Sequence, residues 1–282
     1  MRKIFYIFAA ALLLFGCGKD DMTVAPKPKS SKCKVYIAGD STAADKKSTR
    51  KTALEGTEGY NAEENPNVVP TDPNYYTWGW GEKLQELLDG NTVKNQAVGG
   101  QSSKTFISKN FFSKNIMKPL LKNDVVLIQF GHNDENLTAS DGRGTTPDEF
   151  YENIRKMITD VRGKSGIPVV LTPICRYSWD DEGHPVHGHV KKIDENTTYD
   201  YKAKCIQAAV DAKCDYFDIE QAMWDLMDQL GQDESKKFFM ISVEGSSDTT
   251  HLTEAGALKV AELVVEALKG SKNTKLSALP KP

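Results

Sequence analysis

Five apolar runs of strand length, separated by stretches with helical periodicity, constrain this chain more than any other feature. They lie at about 33–39, 92–98, 124–130, 167–175 and 214–219, and are rich in Val, Ile and Tyr. Continuous apolarity over so few residues marks strands buried on both faces. Between them, Thr146-Pro147-Asp148-Glu149 is a helix start, with Thr as N-cap, Pro at the first position and Glu three residues after the cap. Phe150, Ile154, Ile158 and Val161 then form one apolar stripe to about Gly163. A second helical pattern runs from about Tyr199 to Ala212, with Ala203, Ile206, Ala209 and Val210 inward; a third runs from about Thr253 to Leu268 and ends at Gly270. Leu84, Leu87 and Leu88 suggest a fourth, closed by Gly90. Strand–helix alternation implies an α/β fold: a parallel sheet with helices on both faces. Ligands in such sheets bind at the carboxyl ends of the strands.

The chain has 282 residues, enough for one sizeable α/β domain. Lys+Arg is 36 against Asp+Glu 39, a net charge of -3 with no long basic run, which argues against a nucleic-acid partner. The N-terminus reads as a targeting signal. Arg2 and Lys3 precede an apolar stretch from Ile4 to Phe15, too short for a comfortable transmembrane helix. It ends at Leu14-Phe15-Gly16-Cys17, which resembles a bacterial lipobox. The resemblance implies removal of residues 1–16, lipidation of Cys17, and an exported protein anchored to a bacterial membrane, at the cell surface or facing the periplasm. Lys19-Asp20-Asp21 resembles surface-export signals of some lipoproteins. Residues 17–32, with prolines, lysines and serines, read as a flexible tether. The folded domain is then 33–270, with 271–282 a short polar tail.

Cys33, Cys175, Cys205 and Cys214 remain, none at C-x-x-C spacing, so they read as structural or free thiols. Export permits disulfides, and a Cys205–Cys214 pairing is open. Residues 45–76 and 176–198 lack clear periodicity and follow strand ends, where substrate-shaping loops belong.

Four short segments carry the chemistry. Gly39-Asp40-Ser41-Thr42 follows the first strand, Asn95 to Gly100 the second, and Gly131-His132-Asn133-Asp134 the third. Asp248-Thr249-Thr250-His251 precedes the last helix. A serine hydroxyl needs a base to take its proton, so Ser41 is the candidate nucleophile and His251 its base. Asp248, three residues before His251, can hold the imidazole in the productive tautomer. The oxyanion formed on carbonyl attack needs donors. The backbone N–H of Ser41, the backbone N–H of Gly100 and the side-chain amide of Asn133 can supply three. His132 reads as a structural hydrogen-bonder rather than a second base.

These blocks resemble the SGNH (GDSL-type) hydrolases, whose motifs contribute Ser, Gly, Asn and His in this order, and more closely the rhamnogalacturonan acetylesterase group, carbohydrate esterase family 12. The carrying residues are Tyr36 to Thr42, Gly79-Trp80-Gly81-Glu82, Asn95 to Ser102, Phe130 to Asp134 and Asp248 to His251, within roughly 33–269. The resemblance implies a flavodoxin-like three-layer α/β/α sandwich on a five-stranded parallel sheet, no cofactor, and a serine O-acetylesterase. It places Ser41, Asp248 and His251 as the triad, and Ser41, Gly100 and Asn133 around the oxyanion. Gly99 is the alternative donor, although the Ala-Val-x-Gly-x-Ser alignment favours Gly100.

A standard α/β-hydrolase elbow is disfavoured, because Gly-x-Ser-x-Gly is absent. His184, His187 and His189 invite a metal reading, but the intervening Pro185 and Gly188 and the lack of a nearby Cys favour a solvated hairpin or loop, and no metal is expected. Tyr75, Tyr76 and Trp179 are candidates for stacking on sugar rings, while Trp80 reads as core. The expected substrate is an acetylated polysaccharide, most simply pectic rhamnogalacturonan by resemblance. The alternatives are xylan or another glycan, a short-chain lipase or thioesterase activity on the same fold, and a glycan-binding surface lipoprotein without turnover.

Overall fold

The computed structural model describes residues 32–57 and 70–281. The leader, Cys17, the tether up to residue 31 and positions 58–69 lie outside the described residues. The seven strands among the described residues are β1 (Lys34–Gly39), β2 (Thr92–Asn95), β3 (Val125–Gln129), β4 (Ile167–Leu171), β5 (Val190–Lys192), β6 (Thr198–Asp200) and β7 (Asp215–Phe217). The α-helices are α1 (Lys47–Glu55), α2 (Trp80–Leu87), α3 (Ser103–Ser108), α4 (Pro147–Gly163), α5 (Tyr201–Asp211), α6 (Ile219–Leu230), α7 (Gln232–Lys236), α8 (Glu254–Lys269) and α9 (Thr274–Ser277).

Five strands form one sheet in the order β2-β1-β3-β4-β7, every neighbouring pair parallel. The period-2 alternation of strand side chains divides the apolar residues between two cores. Val35, Ile37, Val125, Leu127, Val169 and Leu171 meet Trp80 and Leu84 of α2, Met223 of α6 and Val260, Val264 and Leu268 of α8. Tyr36, Ala38, Val126, Ile128 and Val170 meet Phe106 of α3, Phe150, Ile154 and Ile158 of α4 and Cys205 and Ala208 of α5. The result is the three-layer α/β/α sandwich. At the start of α4, Glu149 N donates to Thr146 Oγ1 and Thr146 N donates to Glu149 Oε2, so the expected capping box forms.

Several boundaries differ from the sequence reading. β2 and β4 stop at Asn95 and Leu171, short of the apolar runs, because the apolar residues beyond the ladder pack as loop residues: Val98 partly buried, Ile174 and Cys175 fully buried. The inward face of α5 is rotated: Tyr201, Cys205, Ala208 and Ala209 are buried, whereas Val210 is 53% exposed. The polar 45–76 segment contains α1 and a 3-10 turn at Pro73–Tyr76. Within 271–282, which composition reads as a polar tail, the described residues 271–281 return to the domain. Leu276 and Leu279 are buried in the core, and Asp89 N donates to Leu279 O at 2.8 Å. Cys33, Cys175, Cys205 and Cys214 are all free, so no Cys205–Cys214 bridge is formed.

Candidate active site

Register brings the motif blocks to one edge of the sheet. Gly39, the last residue of β1, lies opposite Gln129, the last of β3, and Ile37 lies opposite Asn95, the last of β2. The chain therefore delivers Ser41, Gly100 and Asn133 just beyond three adjacent strand ends. Asp40 fixes the first turn. Its Oδ1 accepts from Thr42 N at 2.9 Å and Thr42 Oγ1 at 2.8 Å, and its Oδ2 lies 3.2 Å from His132 Nδ1. Burial opposes ionisation of Asp40, but His132 and Thr42 outweigh it and hold the carboxyl below its ordinary range. Burial lowers His132 despite Asp40, so the pair is a carboxylate accepting from a neutral imidazole. His132 is thus a structural hydrogen-bonder.

The Gly79 to Glu82 block clamps the same turn from outside. A Cβ on Gly79 would lie 2.0 Å from Ala44 O, so only glycine permits this approach. Trp80 is fully buried and its Nε1 donates to Gln129 Oε1 at 2.8 Å. Glu82 accepts from Lys46 N at 3.0 Å and from Arg50 Nη2 at 2.6 Å.

On the loop before α8, His251 Nε2 stands 2.8 Å from Ser41 Oγ, and His251 Nδ1 stands 2.6 Å from Asp248 Oδ2. Asp248 Oδ1 accepts from the backbone N–H groups of Thr250 and His251, at 2.8 and 3.0 Å. Burial raises the Asp248 carboxyl, but the hydrogen bonds from His251 and Thr250 prevail and hold it well below the carboxylate range. The loop is pinned by Met240 N donating to His251 O, Tyr177 N to Thr249 O and Arg176 Nη1 to Thr250 Oγ1, and Thr253 caps α8.

Around Ser41, the backbone N–H groups of Ser41, Gly99 and Gly100 have no acceptor among the described residues. Gly100 has φ +72°, a conformation that favours glycine. Asn133 Nδ2 donates to Gln101 O at 3.0 Å, leaving its second amide hydrogen free of that bond. Arg143, which the sequence reading did not single out, orients both neighbours. Its Nη1 donates to Asn133 Oδ1 at 3.2 Å and to Gly100 O at 3.3 Å. Arg143→Ala is expected to lower kcat about tenfold with KM little changed, because the donors lose their shared anchor. Arg143→Lys should recover part of the loss. Steady-state kinetics on an aryl acetate measures both, and an unchanged kcat in Arg143→Ala would remove Arg143 from this positioning role.

Behind Asn133, Asp134 accepts from Ser103 N, Ser103 Oγ and Thr145 Oγ1, tying α3 to the loop before α4. Full burial pushes its carboxyl up to about 7 against those bonds.

Tyr75 and Tyr76 share a cavity of about 650 Å³ with Arg50, Leu54, Trp78 and Thr253. Trp179 does not line it; it packs against the core beside Tyr177, ring centroids 6.1 Å apart. The three histidines diverge, His184 pairing with Asp228, His187 with Glu220 and His189 with Glu135. Against the solvated reading, His189 is only 3% exposed, and its Nε2 lies 2.8 Å from Ile174 O. No cluster of three or more metal-ligating side chains occurs among the described residues. Burial raises Glu135, but His189 and Arg176 draw it down to about 2. The chain of contacts from His189 through Glu135 and Arg176 reaches Thr250, next to His251. Sequence spacing gives no signal for this network, which joins four separate loops.

The family described as GDSL-like Lipase/Acylhydrolase matches this chain over residues 38–258. A probable rhamnogalacturonan acetylesterase of Bacillus subtilis, YesY, is 29% identical over 193 residues, covering 68% of this chain and 83% of the relative. The rhamnogalacturonan acetylesterase RhgT of the same organism is 27% identical over 245 residues, covering 83% and 89%. Among solved structures, protein YXIM of Bacillus subtilis superposes with a TM-score of 0.64 at 24% identity. That likeness covers 85% of this chain but 56% of the other, and concerns the fold.

Proposed function

The chain belongs to the GDSL-like lipase/acylhydrolase family and is a carboxylic ester hydrolase, and from that premise we propose that it removes O-acetyl groups from a polysaccharide through an acetyl-enzyme on Ser41. The observation that carries the reaction is the line from Ser41 Oγ through His251 to Asp248, at 2.8 and 2.6 Å, beside backbone N–H groups that have no acceptor among the described residues. His251 Nε2 takes the Ser41 proton as Oγ bonds to the acetyl carbonyl carbon. The carbonyl oxygen becomes an oxyanion held by the N–H groups of Ser41 and Gly100 and the amide of Asn133. The C–O bond to the sugar breaks, and His251 returns the proton to the departing sugar oxygen. Water then attacks the acetyl-enzyme, with His251 as base. Acetate leaves and Ser41 regains its proton.

Rhamnogalacturonan is the favoured polymer, supported by the names of two relatives that the chain matches over most of its length. The cavity that Tyr75 and Tyr76 line does not include Ser41 or His251 but reaches Thr253, two residues from His251, which supports a role for the two rings in stacking on sugars beyond the acetylated one. The leader supports an exported enzyme held to a membrane through Cys17, where a polymer too large to cross the envelope is met. Acetate release from acetylated rhamnogalacturonan and from acetylated xylan tests the reading. Release from the pectic polymer is expected. Release from xylan alone keeps the reaction and discards the polymer. Aryl-acetate hydrolysis with neither polymer touched overturns the glycan assignment.

A further inference from the structure

One cation at the site has no role in the reaction as described. Lys46 is the residue before α1, and its backbone N–H is fixed on Glu82 at 3.0 Å. Its ammonium lies 3.8 Å from the point a Cβ on Gly99 would occupy, and that point is 3.8 Å from Ser41 Cβ. Because residue 99 is glycine, the space between the ammonium and the nucleophile is open. Among the described residues Lys46 Nζ has neither a hydrogen-bond acceptor nor an ion-pair partner.

Three carboxylates lie near enough to act on Lys46 through their charge: Asp40, Glu82 and Asp248. Each is engaged elsewhere. Asp40 is held by Thr42 and His132, Glu82 by Arg50 and the N–H groups of Gly79 and Lys46, and Asp248 by His251 and Thr250. Burial lowers the Lys46 ammonium from its ordinary range even against these three charges. A half-buried cation with no partner gains from an incoming anion, since its desolvation has already occurred. The backbone N–H of Gly99, also without an acceptor among the described residues, offers a second donor at the same place.

We propose that Lys46 and the Gly99 N–H form an anion subsite beside Ser41 that takes a carboxylate of the substrate, so that the enzyme selects acetylated glycans containing uronate residues. The inference rests on the glycan acetylesterase reading above. It assigns Lys46 to substrate recognition: the acetyl group sits at Ser41 while a carboxylate on the same or a neighbouring sugar meets the ammonium. Neutral acetylated glycans lack that contact.

The test compares acetate release from acetylated galacturonate-containing oligosaccharides as free acids and as methyl esters, which lack the carboxylate charge and carry one added methyl group; the Lys46 variants separate charge from size. The full protein, Lys46→Gln and Lys46→Arg are assayed side by side. Rates are normalised by aryl-acetate hydrolysis on the same preparations, which reports the amount of competent triad. The wild type should prefer the free acid by about tenfold in kcat/KM, through KM. Lys46→Gln should bring the acid-to-ester ratio close to one, and Lys46→Arg should keep most of the preference. A wild type without preference, or a Lys46→Gln ratio equal to the wild-type ratio, overturns the subsite while leaving glycan deacetylation standing. Aryl-acetate hydrolysis with both oligosaccharides untouched overturns the glycan reading, and the subsite with it.

Discussion

Ser41→Ala should lower kcat on an aryl acetate by about 10⁴- to 10⁶-fold while the thermal midpoint stays close to wild type. The reason lies in what Ser41 Oγ touches. Its one hydrogen bond among the described residues is to His251 Nε2 at 2.8 Å, and its side chain is not part of either core. The turn that carries it is held by neighbours that the substitution leaves in place: Asp40 on Thr42 and His132, and Trp80 N donating to Thr42 O at 3.0 Å. A hydrogen in place of the hydroxyl therefore removes the attacking atom and little else. The residual rate would come from water oriented by His251 and the oxyanion donors, a contribution typically worth about 10³- to 10⁴-fold over solution in triad enzymes. A loss below tenfold would show that another group attacks. A large fall in thermal midpoint would show that the loss reflects misfolding rather than chemistry.

The parts legible in the sequence share one property: their signal is local. The central strands β1, β3 and β4 announce themselves as apolar runs, whereas the edge strands β2 and β7, expected to be buried as well, are half-exposed; Thr146 with Glu149 writes the start of α4 within four residues. The Asp248–His251 pair is also local, three residues apart on one loop. Ser41, Gly100 and Asn133 were legible as separate blocks because each follows a strand, and parallel strands end on one edge.

The parts that were not legible are set by partners distant in the chain. Arg143 reads as part of a polar turn, and only the fold brings its guanidinium to Asn133 and Gly100. Lys46 reads as one lysine among several, and becomes distinctive because Glu82, which accepts from its backbone N–H, is ion-paired with Arg50 instead of with the Lys46 ammonium. The face of α5 is not legible in the sequence because alanines mark a stripe weakly. Tyr201 and Cys205, packed beneath the sheet, decide the rotation that Val210 alone would have set otherwise. α1 has a single buried residue, Ala53, so no apolar stripe betrays it; it is secured by the Arg50–Glu82 ion pair and by Arg50 stacked on Trp78 at 3.6 Å. Leu276 and Leu279 are two apolar residues in a polar segment, too few for periodicity but sufficient to return the C-terminal stretch to the core.

Asp248→Asn should lower kcat by about 10³- to 10⁴-fold with KM little altered, although the change replaces a single atom. Asp248 Oδ1 binds the N–H groups of Thr250 and His251, so the amide oxygen of the variant is drawn to that position. Its NH₂ then faces His251 Nδ1, where Oδ2 stood at 2.6 Å. An NH₂ group only donates, so Nδ1 must present its lone pair and the ring proton moves to Nε2. Nε2 then cannot accept from Ser41 Oγ, and the geometry survives while the base is lost. The stability consequence has the opposite weight. The Asp248 carboxyl is held below its unfolded value, so its contribution is present above about pH 4. It is lost as pH falls through the folded-state value. Partial exposure, 38% for the Asp248 side chain, keeps that contribution small. The stability gap between wild type and Asp248→Asn should accordingly be modest near neutrality and narrow on acidification below about pH 4. Paired measurements of kcat and thermal midpoint separate the two effects. A kcat loss that tracks the loss of folded protein would assign Asp248 to holding the loop, and a large loss in fully folded enzyme assigns it to setting the tautomer of His251.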